Sequence, residues 1–256
     1  MAAGLIPAGF TGRPVLVHIA RGEARTVTLL GRVDETAPPA AAEDLEAAST
    51  LTGPRRREFL GGRALLRRAV AELSGAPAEA VRIGTRDGSR PVCLSTREVD
   101  VSISHSAGRI AATAARGCEV GVDIQIPVPV SARLLRRYNV AGTEPATRAG
   151  PRPGGRTPTA APAERGDSPS QVDDSHYEFA DAWTVREACA KSLGLRVGAD
   201  LWRIRVPPGA HHGHWAAAHW YRLPPFQDCP VALAMRPRGR SRRRSTSPSR
   251  PAGSPP

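Results

Sequence analysis

Apolar residues recur at every second position in several short stretches of this chain and at every third or fourth in two longer ones, the signatures of strands and helices. Residues 14–19 and 25–31 read as early strands, followed by an Ala/Pro-rich connection over 37–42. Residues 55–73 read as an amphipathic helix, with Phe59, Leu66, Val70 and Leu73 at helical spacing among Arg56, Arg57, Arg63, Arg67 and Arg68. The Gly61-Gly62 pair weakens that helix by about 1 kcal/mol per Gly relative to Ala, so it can instead mark a close backbone approach. Strands are expected at 92–94, 99–103 and 109–115, the second with strict alternation. In 119–125, Val120, Val122 and Ile124 alternate with Gly121, Asp123 and Gln125, so a strand there packs one face and presents Asp123 and Gln125 on the other. Residues 132–138 suggest a short basic helix. Further on, Trp183, Glu187 and Lys191 fall on one side of a helix and Val185, Cys189 and Leu193 on the opposite side, neither plainly a water face, with Gly194 as its terminator. Strands are expected again near 201–206, 219–223 and 231–235.

Composition interrupts this pattern twice. Residues 141–174 are Pro, Gly, Thr, Arg and Ser with almost no large apolar side chains, too little to offset the entropy of ordering, and read as a flexible insertion. Residues 237–256 read as a disordered Arg/Ser/Pro-rich tail. The resulting division is an N-terminal α+β half over 1–140, the insertion over 141–174, a C-terminal α+β half over 175–236 and the tail. Of the formal charge of +12 over 256 residues, seven arginines lie at or beyond Arg236, where there are no acids, so the rest carries only +5. Nucleic acid is therefore not the expected partner; the tail also lacks aromatic residues for base stacking. Cys93, Cys118, Cys189 and Cys229 form no Cys-x-x-Cys pair, which argues against a zinc site or disulfide framework and fits a reducing compartment. No basic segment precedes an apolar run at the start, and no stretch reaches the length of a membrane span, so the expectation is a soluble cytoplasmic protein.

Chemistry concentrates in three segments, in order: Ser102-Ile103-Ser104-His105-Ser106, Gly121-Val122-Asp123-Ile124-Gln125, and Trp183 to Lys191. Asp123 and Glu187 are the best candidates for magnesium ligands, because magnesium prefers a few carboxylates together with phosphate oxygens and water. Taken alone, Glu187 and Lys191 are also an ordinary i, i+4 pair, but a solvated stripe rarely leads with Trp183. Ser104 and His105 precede Gly108 in what reads as a loop able to offer a hydroxyl, an imidazole and backbone N–H groups to a phosphate. His211-His212-Gly213-His214 lacks a nearby acid or Cys at ligand spacing and reads as a polar loop. Arg63 and Arg67 can equally line a solvated helix face.

The three segments together resemble the 4′-phosphopantetheinyl transferases of the larger, surfactin-synthetase-activating type, whose motifs are S-x-S-H-S, G-[VI]-D-[IV]-E and W-x-x-K-E-x-x-x-K. The resemblance runs from about residue 55 to 201, interrupted by the insertion. It implies two similar α+β halves packed as a pseudo-dimer with the active site between them, a monomer by default. It implies transfer of the phosphopantetheine arm of coenzyme A, the co-substrate, to a serine of an acyl or peptidyl carrier protein, with magnesium as cofactor. Carried over by motif, the metal-site residues are Asp123, Gln125 and Glu187, with Gln125 where the family usually has Glu. Glu187 and Lys191 take the catalytic positions, and Arg186 stands where the family commonly has Lys. Ser104, His105, Arg90 (in Gly88-Ser89-Arg90-Pro91, for the family's G-K-P) and Arg57 take coenzyme A-binding positions. Arg133, Arg136 and Arg137 form a candidate docking edge for an acidic carrier protein or an ordinary solvated face. The competing expectation is a catalytically degraded relative that binds coenzyme A, or nucleic acid or another polyanion, with Gln125 and the Arg-rich tail as its motives.

Overall fold

Two antiparallel four-stranded sheets contain most of the expected strands. The computed structural model describes residues 14–33, 41–86, 90–131, 133–135, 174–195 and 199–238. The insertion expected at 141–174 and the tail expected at 237–256 therefore lie almost wholly outside the described residues, as does most of the basic helix expected at 132–138, of which a helical turn at 133–135 is described.

The first sheet has the order β1-β2-β6-β5, from Val15–Arg21 (β1), Ala24–Arg32 (β2), Val99–Ser106 (β5) and Arg109–Arg116 (β6). The second has the order β7-β10-β9-β8, from Cys118–Ile124 (β7), His212–Trp215 (β8), Ala218–Phe226 (β9) and Cys229–Pro237 (β10). Ile83–Arg86 (β3) and Arg90–Cys93 (β4) form a separate two-stranded ribbon. The helices are Ala42–Ala47 (α1), Gly53–Ser74 (α2) and Asp174–Leu193 (α3). The boundary between the two large sheets falls at Gly117, between β6 and β7, so the Asp123 strand pairs with the later strands.

Side-chain alternation makes these elements into layers. Val27, Leu29, Val101, Ile110 and Ala112 on one face of the first sheet meet Leu65, Leu66, Ala69 and Val70 of α2. Leu30, Ala111 and Ala115 on its other face meet Val120, Val122, Ile124, Leu233 and Met235 of the second sheet. The far face of the second sheet packs Trp220, Ala232 and Ala234 against Val185, Ala188 and Cys189 of α3. Each large aliphatic side chain buried this way contributes about 1.5–3 kcal/mol. Both faces of β7 are covered, so nearly its whole length is buried, Asp123 included.

Several expectations are corrected. Arg63 and Arg67 are buried rather than solvated: Arg63 donates to Gly84 O and Thr85 Oγ1, while Arg67 binds Val81 O, Glu43 and the buried carboxylate of Asp44. They tie α1, α2 and β3 together, and neither α1, starting at the end of the supposed connection, nor β3 was expected. Residues 199–203 form a 3₁₀ turn where a strand at 201–206 was expected. His212 and His214 lie on β8 rather than in a loop, opposite Tyr221 and His219. Ser104 and His105 lie within β5, paired with Ala111 and Ile110, rather than in a loop. Gly194 does end α3, at φ 68° with Leu195 N–H on Ala190 O at 2.9 Å.

One glycine sets the distance between α3 and β7. A Cβ on Gly121 would sit 2.1 Å from Ala188 O and 2.6 Å from Ser192 N, both helix backbone that cannot move aside alone. Gly121→Ala should therefore cost about 2–4 kcal/mol, read as a lower denaturant midpoint. An unchanged midpoint would show that the helix is not held against this strand.

Candidate functional site

The close approach at Gly121 places the side of α3 bearing Glu187 and Lys191 over the end of β7 bearing Asp123. Asp123 is 2% exposed, and its Oδ1 accepts from Lys191 Nζ and from Ser104 Oγ, each at 2.6 Å. Lys191 Nζ also donates to Val122 O at 3.1 Å and lies 3.8 Å from Glu187 Oε2. Glu187 Oε1 accepts the indole N–H of Trp183 at 2.9 Å, and Trp183 is itself braced by Phe179 and Trp202. The four-residue spacing of Trp183, Glu187 and Lys191 thus serves one polar cluster, with Asp123 and Ser104 as its partners on the strands. Gln125, just beyond β7, donates its backbone N–H to Pro230 O and helps line an apolar cleft of about 260 Å³ with Ile126, Leu134, Phe179 and Trp183.

The cluster is electrostatically unbalanced. Burial, and then the Asp123 carboxylate, push the Glu187 carboxyl above its usual range, while Lys191 and the Trp183 N–H oppose the shift. Asp123 Oδ2 is buried and has no donor while Glu187 is ionised; a hydrogen bond from a protonated Glu187 to Asp123 is a further cause of the rise. An oxygen in that condition, beside a second carboxylate with a raised proton affinity, is a position a cation would satisfy. The described residues contain no group of three or more His, Cys, Asp or Glu arranged for a metal, and only Asp123 and Glu187 supply acids. Two carboxylates nevertheless suit magnesium, which keeps waters and takes its remaining oxygens from phosphates.

The other expected site residues lie along β5 and its neighbours. His105 is half-exposed, with Nδ1 facing Glu58 Oε2 of α2 at 3.2 Å. Arg57 is exposed on the same helix, one residue before Glu58. Arg90 pairs with Asp100 at 3.3 Å at the opposite end of β5, and its guanidinium approaches the Gly194 end of α3. The structure therefore joins Asp123, Glu187, Lys191 and Ser104 directly and distributes His105, Arg57 and Arg90 around them. Arg186 turns away into the core, where its Nε donates to Ile204 O at 3.2 Å and its guanidinium lies over Trp202. Glu58 was not anticipated; α2 carries a second acid, Glu72, and nothing local marks Glu58 out.

Residues 43–115 match the family model for the 4′-phosphopantetheinyl transferase N-terminal domain. The match spans most of α1 through nearly all of β6 and includes Arg57, Arg90, Ser104 and His105, but not Asp123, Gln125, Glu187 or Lys191. No curated protein matches the chain. The family match supports the phosphopantetheinyl transferase family for this chain and, with it, phosphopantetheinyl transfer in general; that family uses coenzyme A and acts on carrier proteins. Among the described residues, no helix is long and apolar enough to cross a membrane.

Asp123→Asn should lower the Glu187 pKa toward its ordinary range, because it removes the second-largest cause of the rise. A folded-state pKa above the unfolded one gives stability that is fully present below the ordinary glutamate range and lost as pH rises through the raised value. The variant should reduce that pH dependence. Carboxyl NMR of Glu187 through an acid titration measures the first effect, and denaturation across the same pH range the second; an unmoved Glu187 titration would remove Asp123 as a cause.

Proposed function

We propose that the protein is a magnesium-dependent 4′-phosphopantetheinyl transferase of the larger, surfactin-synthetase-activating type, acting on a serine of an acyl or peptidyl carrier protein. The observation that carries this reading is the Lys191 ammonium placed between the buried Asp123 and the partly buried Glu187, on segments that follow the matched N-terminal domain in the expected order. The two large sheets, each with one long helix on its outer face, support a pseudo-dimer of α+β halves, with 141–174 as an insertion between β7 and α3. A monomer in the cytoplasm is the working expectation.

In this reading the carrier serine oxygen attacks the β-phosphorus of coenzyme A. A new O–P bond forms as the bond to the bridging oxygen breaks, and adenosine 3′,5′-bisphosphate leaves. Glu187 takes the serine proton, directly or through a water, the latter favoured because a metal-bound carboxylate is a weak base. Trp183 fixes one carboxylate oxygen and so directs the other. Lys191 offsets the negative charge on the phosphoryl group in transfer. Ser104 and Lys191 hold Asp123 in place. Asp123 and Glu187, with the Gln125 amide, would hold the magnesium ion, which supplies charge neutralisation of the pyrophosphate when bound. Arg57, Arg90, Ser104 and His105 mark the coenzyme A side, with His105 toward its 3′-phosphate.

Intact mass of an apo carrier protein after incubation with the protein, coenzyme A and magnesium should rise by one phosphopantetheine arm, and a chelator should prevent the gain. Glu187→Gln keeps the acceptor for Trp183 but removes the base, so kcat should fall by about 10²–10⁴-fold with the circular dichroism spectrum retained. Gln125→Glu should lower the magnesium concentration for half-maximal transfer by roughly tenfold, since it restores a third charge. No mass gain with carriers of fatty-acid, polyketide and peptide type would favour a catalytically degraded coenzyme A-binding relative.

A further inference from the structure

His105 is held by a carboxylate that is itself held. Glu58, in the second turn of α2, directs Oε2 at His105 Nδ1, 3.2 Å away, and its Oε1 accepts the Gly108 N–H, also at 3.2 Å. Gly108 belongs to the β5–β6 turn, where Ala107 and Gly108 have φ of 47° and 75°, and Gly108 O accepts Val33 N–H at 2.9 Å. The carboxylate is thus fixed between helix and hairpin and has little freedom to swing away from the ring. The side chain of Glu58 is 18% exposed and that of His105 is 52% exposed, so one edge of the imidazole meets the protein while much of the ring remains accessible.

We propose that Glu58 is the positioning residue for His105, holding Nδ1–H so that the ring presents Nε2–H to a phosphate monoester at the end of β5. The two ring nitrogens point in divergent directions, so a carboxylate at Nδ1 turns Nε2 outward. With an anion at Nε2, the ring lies between two negative groups and carries both protons, each in a charge-assisted hydrogen bond. Ser104, the preceding residue, reaches Asp123 from the other face of the strand. The bound phosphate would therefore be anchored one residue away from the polar cluster. Naming that phosphate as the 3′-phosphate of coenzyme A rests on the transferase reading.

The test uses the full chain, the ring ¹⁵N shifts of His105, and the affinities of adenosine 3′,5′-bisphosphate and adenosine 5′-phosphate. In the free protein, at a pH where the ring is neutral, Nδ1 should carry the proton; with the bisphosphate bound, both nitrogens should. In Glu58→Gln the amide can accept from Gly108 and donate to Nδ1, so the proton should move to Nε2. The neutral ring then still offers Nε2–H but cannot take a second proton at Nδ1, so the charge-assisted bond is lost and preference for the bisphosphate should fall about tenfold, less than in His105→Ala, with adenosine 5′-phosphate binding unchanged. Glu58→Ala should lose the preference similarly, and Glu58→Gln covers the case in which it does not fold. A free wild-type ring with a bare Nδ1, or wild-type preference in the Glu58 variants, overturns the proposal. Carrier modification by the wild type is measured in parallel: its absence removes the transferase reading, while the ring protons and the bisphosphate preference still decide the role of Glu58.

Discussion

The two large sheets meet along a seam of side-chain hydrogen bonds, and the position of every residue in the polar cluster depends on it. β5 and β7 are the adjoining edges of their sheets and share no backbone ladder. Alternate residues of β5 reach across instead: Asp100 Oδ2 accepts Val120 N–H at 2.8 Å, Ser102 Oγ accepts Val122 N–H at 3.1 Å and Ser106 Oγ accepts Ile126 N–H at 3.0 Å. Each such bond is worth about 1 kcal/mol net, but an edge N–H left buried without it costs about 1–3 kcal/mol. The offset between partners is constant, so the seam fixes the register of one sheet against the other. At the step where Ser104 comes opposite this edge, its hydroxyl donates to the Asp123 carboxylate. The structural repeat thereby reaches the polar cluster.

The second constraint is the contact between β7 and α3. Gly121 admits the helix backbone, and small residues at Ala188 and Ser192 meet it from the other side. That contact decides where Lys191 and Glu187 sit, one turn apart over the strand end. Large side chains on either surface would move the helix outward and separate Lys191 Nζ from Asp123 by more than a hydrogen bond tolerates. The glycine of the Gly-Val-Asp segment is a packing requirement for the ion pair two residues later.

Much of this was legible because strand and helix periodicities were clean. β5 and β7 followed from alternation, α2 and α3 from helical spacing, and Asp123, Glu187 and Lys191 from their places on those elements. What was missed depended on partners distant in sequence. Arg63 and Arg67 look like surface residues until Asp44, Val81 and Gly84 are brought against them by the fold. Ser104 and His105 resemble a loop because serines and histidine break the apolar pattern; the serines bond to β7 and the residues just after it instead of water, and the strand runs three residues further than expected. The short strands at 83–86 and 212–215 carry too few residues to show a period. Glu58 has no local signal for its role, since both of its partners come from the β5–β6 hairpin.

Charge at the junction bears on how the proposed reaction would be assembled. Asp123 and Glu187 bring two negative charges when ionised and Lys191 returns one positive, so the described cluster is close to −1; an acid at Gln125 would make it −2. A divalent cation gains less from the weaker site, and it also competes with an ammonium already 2.6 Å from Asp123. Asp123 Oδ2 is the oxygen that the ammonium does not serve. The missing charge would then have to come from the pyrophosphate, and tight magnesium binding would require the nucleotide. On this argument Gln125 would not abolish the proposed metal site; it would make the substrate one of its principal ligands.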